Sequence, residues 1–92
     1  MIYTIEIQEE AIEEMREAFC WYESRQQGLG YSLLSEIELC YQRLSENPQH
    51  YTSITDRFRR IRTDIFPYML VYEIEGDRVI VISFFHAKRG VV

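Results

Sequence analysis

Arg60 and Arg62 stand two apart in Arg59-Arg60-Ile61-Arg62. On a β-strand that spacing puts both side chains on one face. Two neighbouring guanidinium groups hold an anion well, whether a phosphate or the carboxylates of an acidic segment. They stay protonated at neutral pH, so the pair suits binding and charge stabilisation and serves badly as a general base. His86, in His86-Ala87-Lys88-Arg89, is of a type that can give or take a proton near neutrality. Each has a plainer reading: arginines also guard a sheet edge against aggregation, and a single histidine ending a strand is more often structural. Little packing explains Lys88 and Arg89, which are expected to reach a partner.

The charge is unevenly distributed. From Arg57 onward seven basic residues face four acidic ones, an excess of +3, whereas residues 1–56 carry three arginines against eleven acids, an excess of -8. The net charge is -5. Such polarity suggests two surfaces with different tasks, an acidic one on helices and a basic one on a sheet.

The elements that must position these residues follow from periodicity. Ile2 to Ile7 reads as a short opening strand. Ala11, Ile12, Met15, Ala18, Phe19 and Tyr22 then recur at helical spacing, with Glu9, Glu10, Glu13, Glu14 and Glu17 on the solvated side. Gly28-Leu29-Gly30 ends that helix and reverses the chain. Leu33, Leu34, Ile37, Cys40, Tyr41 and Leu44 repeat the stripe until Asn47-Pro48 stops it. Pro48 to Asp56 reads as a loop. Three strands follow, Phe58–Thr63, Tyr68–Ile74 and Val79–Phe85, the last two joined through Glu75-Gly76-Asp77. In the last strand Val79, Val81 and Phe85 are expected on one face, and Ile80, Ile82 and Phe84 on the other. The order βααβββ predicts an α+β fold, a helical hairpin packed on one face of an antiparallel four-stranded sheet.

Ninety-two residues, 47% of them hydrophobic, predict one folded domain spanning 1–92. No stretch is long and apolar enough for a membrane span, and the start lacks a signal-peptide pattern, so a cytoplasmic protein is expected. Cys20 and Cys40 are too few for a disulfide framework, and Cys40 is expected as a buried thiol. Neither cysteine nor His50 and His86 show metal-site spacing, so no metal or other cofactor is expected. Trp21, beside Tyr22 but off the main stripe, is either a rim residue of the core or an anchor for a protein partner.

Several pieces occur together in order: Trp21-Tyr22-Glu23 in the first helix, Gly28-Leu29-Gly30 at the junction, and Asn47-Pro48 with Tyr51 just beyond. Arg59-Arg60-Ile61-Arg62 follows, then Phe66-Pro67-Tyr68 leading into Leu70-Val71-Tyr72, and finally His86-Ala87-Lys88-Arg89. Over nearly its whole length the chain resembles the RelE/ParE family of bacterial toxins from type II toxin–antitoxin modules. The RelE-like branch cleaves messenger RNA in the ribosome by activating a ribose 2′-hydroxyl. By this resemblance, Arg60 and Arg62 stand where that branch has two lysines, Met69 where it has an arginine, and Arg89 where it has another; its terminal tyrosine would fall beyond Val92. The Phe-Pro-Tyr form and the histidine before Lys-Arg look more like the ParE branch, whose members poison DNA gyrase.

The resemblance implies a toxin, more a binder than an enzyme, that engages DNA gyrase and is neutralised by a cognate antitoxin. Its expected contact residues are Arg59, Arg60, Arg62, Tyr72, His86, Lys88 and Arg89. The alternative is a ribosome-dependent messenger RNA endonuclease, with the ribosome and messenger RNA as partners and Arg60, Arg62, His86 and Arg89 in its active site. A third reading is an inactive toxin-fold binding protein.

Overall fold

The structure is a computed structural model that describes residues 2–88. Strand β1 (Thr4–Ile7) leads into helices α1 (Glu9–Arg25) and α2 (Leu29–Glu46). A single 3-10 turn (Pro48–His50) and a two-residue strand, β2 (Thr52–Ser53), come next, then β3 (Phe58–Arg62), β4 (Tyr68–Glu75) and β5 (Arg78–His86). The strands form one sheet in the order β1-β5-β4-β3-β2. Neighbours run antiparallel except β1, which lies parallel to β5.

The α+β layering is as expected, but the four-stranded antiparallel sheet is corrected to a mixed sheet of five. Thr52–Ser53 is too short and polar to read as a strand, and it pairs only Arg59 and Arg60. The direction of β1 follows from which neighbour it finds after two intervening helices, and apolar pattern carries no such information.

Both helices turn their stripes to one face of the sheet. Ala11, Met15 and Ala18 from α1 join Leu33, Ile37, Cys40 and Leu44 from α2 over Ile61, Leu70, Tyr72, Val79, Val81 and Phe84. Each large side chain buried here contributes about 1.5–3 kcal/mol. The turn between the helices needs Gly28 at φ 91. Glu23, in the last turn of α1, accepts hydrogen bonds from the amides of Gly28 and Gly30, both at 2.9 Å. Its carboxylate thus caps the amides that open α2. A Cβ on Gly30 would lie 2.8 Å from the Phe19 ring, so the helices approach closely only because that atom is missing.

The last strand departs from simple alternation. Val71 stands opposite Ser83 and Tyr72 opposite Val81, which leaves Ile82 as an extra residue. The bulge swaps the faces beyond it, so Phe84, 1% exposed, joins Val79 and Val81 in the core. Phe85, expected beside those valines, lies instead opposite Met69 on the face away from the helices.

Candidate functional site

Strand β3 alternates around Ile61, which faces the helices and is buried. Arg60 and Arg62 therefore point to the uncovered face, Arg60 beside Val71 and Arg62 beside Met69. Because β2 pairs only with Arg59 and Arg60, the edge of β3 at Ile61 and Arg62 has no strand beside it. There the surface forms a hollow of about 370 Å³ lined by Arg43, Tyr51, Thr52, Arg60, Ile61, Arg62 and Met69.

Three guanidinium groups meet at this hollow, in different electrostatic states. Arg43, from the last turn of α2, pairs with Asp64 at 3.2 Å, which holds its pKa above the usual arginine value. Arg62 leans on backbone carbonyls, Thr63 at 3.3 Å and Asp64 at 3.5 Å. Arg60 is exposed. Among the described residues, neither Arg60 nor Arg62 makes an ion pair. The excess positive charge here is open to an outside anion.

The remaining expected contact residues are dispersed. Arg59 lies on the helix side of β3, and its guanidinium donates to the carbonyls of Gln49 (3.2 Å) and Tyr51 (2.8 Å). It fastens the segment between α2 and β3 and does not join Arg60. Tyr72 is fully buried, and its hydroxyl donates to the Pro48 carbonyl at 2.6 Å. Burial pushes its pKa up to about 12, so it stays a neutral tether of the same segment, with no surface for a partner. His86 ends β5, two strands from β3 and so roughly 10 Å across the sheet. Its ring packs edge-on against Tyr68 at 5.2 Å, and its Nδ1 accepts from the Lys88 amide at 3.1 Å. Lys88 is exposed beyond it, and Arg89 lies outside the described residues.

The positive charge also spreads more widely than one basic face. Arg57 pairs with the buried Glu73, and Arg78 with Glu6 and Glu75, each carboxylate holding the arginine's pKa above its ordinary value. Among the described residues from Arg57 onward, the cations left without an ion pair side by side on one face are Arg60 and Arg62, with Arg43 behind them; Lys88 stands apart at the end of β5. Arg43 is a residue that sequence reasoning missed. It occupies the polar side of a helix as any solvated arginine would, and only the packing of α2 beside β3 gives it a role.

Chemically, the row Arg62, Met69, Phe85 across three strands sets a fixed cation beside a thioether and a phenyl ring. Such a row can grip an anion against an apolar floor. It contains no group able to take a proton near neutral pH. Among the described residues no cluster of three or more His, Cys, Asp or Glu could hold a metal ion, and no helix is long and apolar enough to cross a membrane.

Comparison with known proteins adds the following. Residues 5–91 match the family model described as the ParE toxin of type II toxin-antitoxin system, parDE. Among solved structures, a chain of the chromosomal ParDE toxin–antitoxin system from P. aeruginosa superposes with TM-score 0.79 at 10% identity, covering 92% of this chain and 96% of the other. A mutant of the E. coli toxin RelE in the free state superposes with TM-score 0.72 at 21% identity, covering 97% of this chain and 87% of the other. At these identities the two structures speak for the fold. No curated protein matches the sequence.

Proposed function

The chain belongs to the ParE toxin family of type II toxin–antitoxin systems, and from that premise we propose that it inhibits growth by binding DNA gyrase in the cytoplasm and is neutralised by a cognate antitoxin. It acts as a binding protein and not as a nuclease. The observation that carries this reading is the row Arg62, Met69, Phe85. RNA cleavage through a 2′-hydroxyl needs a proton acceptor at the nucleophile, a cation at the phosphate and a donor at the leaving oxygen. Among the described residues that line the hollow with Arg60 and Arg62 there is no histidine, lysine or carboxylate to accept that proton. The net charge of -5 supports the same reading, since phosphate contacts dominate binding to ribosomal RNA and reward a strongly basic protein.

The test runs two assays on one preparation. Purified toxin added to gyrase, plasmid and ATP is expected to stop supercoiling. The same toxin added to translating ribosomes is expected to leave messenger RNA intact. Codon-linked cleavage with undisturbed supercoiling would replace this reading with the nuclease one, while activity in neither assay would leave an inactive toxin-fold binding protein.

A further inference from the structure

The loop from Thr63 to Pro67, between β3 and β4, holds one side chain outward. Ile65 is 85% exposed, more than any other large hydrophobic residue described. A lone exposed isoleucine is ordinary on a protein surface. The way its backbone is held is less so. The Glu36 carboxylate of α2 accepts from the amides of Ile65 (3.0 Å) and Phe66 (3.2 Å). The buried Thr63 hydroxyl donates to the Phe66 carbonyl and accepts from the Tyr68 amide. The Thr63 amide donates to the Tyr68 carbonyl at 3.0 Å, and Asp64 is drawn to Arg43. Phe66 turns inward against Tyr22, with ring centroids 4.9 Å apart. These bonds hold the loop backbone with Ile65 outward, so the backbone has little conformational entropy left to lose on binding.

Its neighbours define what it would meet. The Arg62 guanidinium reaches the carbonyl of Asp64, the residue next to Ile65, and Arg43 pairs with that same aspartate. Of the acids near the loop, Glu36 is turned onto the amides and Asp64 onto Arg43, so neither offsets Arg60 or Arg62. An apolar knob thus follows directly on the residue whose carbonyl Arg62 reaches, next to positive charge that no carboxylate among the described residues offsets.

We propose that Ile65 is the apolar anchor of a protein-binding surface whose charged half is Arg60 and Arg62. The partner it fits is a protein offering an apolar socket edged by Asp or Glu carboxylates. A nucleic acid backbone would satisfy the arginines but offers an aliphatic knob no socket. The inference rests on the reading above that gyrase is the target, and it names the part of the chain that engages it.

Affinity for purified gyrase without DNA, and separately for a short DNA duplex, tests the surface in the full-length protein. Ile65→Ser is expected to weaken gyrase binding by about tenfold or more, as truncating an interface anchor does. Ile65→Val, which keeps a branched apolar tip, is expected to stay within about threefold of the unmodified chain. Melting midpoints should coincide for all three, because nearly the whole side chain already faces water. Gyrase binding unchanged in Ile65→Ser would overturn the anchor and leave the proposed function standing. Tighter binding to duplex than to gyrase, insensitive to Ile65, would reassign the arginines to nucleic acid. Absence of gyrase binding by the unmodified chain would overturn both the anchor and the function it rests on.

Discussion

The sheet has two half-exposed edges, and they carry opposite charge to opposite ends. Beyond Val81, β5 has no strand beside it because β1 is short; α1 lies there instead, and the Glu14 carboxylate accepts from the Phe84 amide at 3.0 Å. A hollow of about 400 Å³ sits there, lined by Glu14, Glu17, Trp21, Phe85 and His86 among others. At the other edge, beyond Arg60, β3 has no strand beside it because β2 is short, and the hollow is lined by Arg43, Arg60 and Arg62. The hollows differ little in size: in the first the fold consumes Glu14 and leaves Glu17 without an ion pair among the described residues, and in the second it consumes Arg43 and leaves the adjacent cations Arg60 and Arg62. Counting charged residues does not tell these cases apart; asking what each charge is bonded to does.

The largest expected effect breaks the contrast at the arginine edge. Replacing both residues together, Arg60→Glu with Arg62→Glu, should cost on the order of 100-fold in gyrase inhibition, because like charges would then face the partner's carboxylates. Thermal stability should hardly move, as both side chains are exposed. A supercoiling titration of the folded variant measures it, and unchanged potency would show that the wrong edge was chosen.

The acidic edge should respond the other way. Glu14→Ala strands the Phe84 amide against α1 and should cost about 1–3 kcal/mol of stability. For a domain of this size that lowers the melting midpoint by several degrees, roughly 4–8 °C per kcal/mol. Glu14→Gln keeps an acceptor and should recover most of the loss. Gyrase affinity of the folded fraction should not change in either variant.

Arg59 sharpens the comparison within a single strand. Arg59→Met removes two hydrogen bonds to backbone carbonyls while keeping the aliphatic stem, and should cost about 1 kcal/mol of stability. Inhibition should stay within about twofold of the unmodified chain, since this residue faces away from Arg60 and Arg62. A loss of potency matching that of the Arg60 and Arg62 variant would erase the distinction between the two faces of β3.

The smallest effect needs no change in the arginines. Burial lifts the Cys40 thiol from its ordinary 9.0 to about 11, and its Sγ lies 3.9 Å from the Arg62 carbonyl, behind the arginine edge. Tyr72 is lifted from 10.0 to about 12 by the same cause. Both groups are neutral in the fold and ionise more readily in the unfolded chain. Their stabilising contribution is therefore complete below pH 9 and is lost progressively between about pH 9 and pH 12. Melting midpoints measured across that range should fall, and Cys40→Ala should flatten the first part of the decline.

The helices and the three long strands were legible in sequence because each is a run of apolar residues at one period. Gly28 and Pro48 also mark their ends by backbone chemistry that no context alters. Three features were not legible. The parallel placement of β1 depends on contacts between the two ends of the chain. Strand β2 is two polar residues with no pattern to find. The bulge at Ile82 exchanges Phe84 and Phe85 between faces, and a strand apolar on both sides gives no warning of it. In the candidate site, the pairing of Arg60 and Arg62 followed from spacing alone. Arg59 was expected among the contact residues beside them, although strand alternation turns it to the other face, and its bonds to Gln49 and Tyr51 depend on where the segment after α2 comes to rest. Tyr72 looked available as a tyrosine in an apolar strand, and the Pro48 carbonyl that occupies its hydroxyl lies 24 residues earlier.

Hydrogen exchange of backbone amides in the complex with gyrase tests most directly which edge a partner covers. Protection is expected at Thr52 and Ser53 and from Arg60 through Ile65, with exchange at Phe84 to His86 unchanged from the unbound protein. Protection gained at Phe84 to His86 and along α1, with the arginine edge unaffected, would contradict the account.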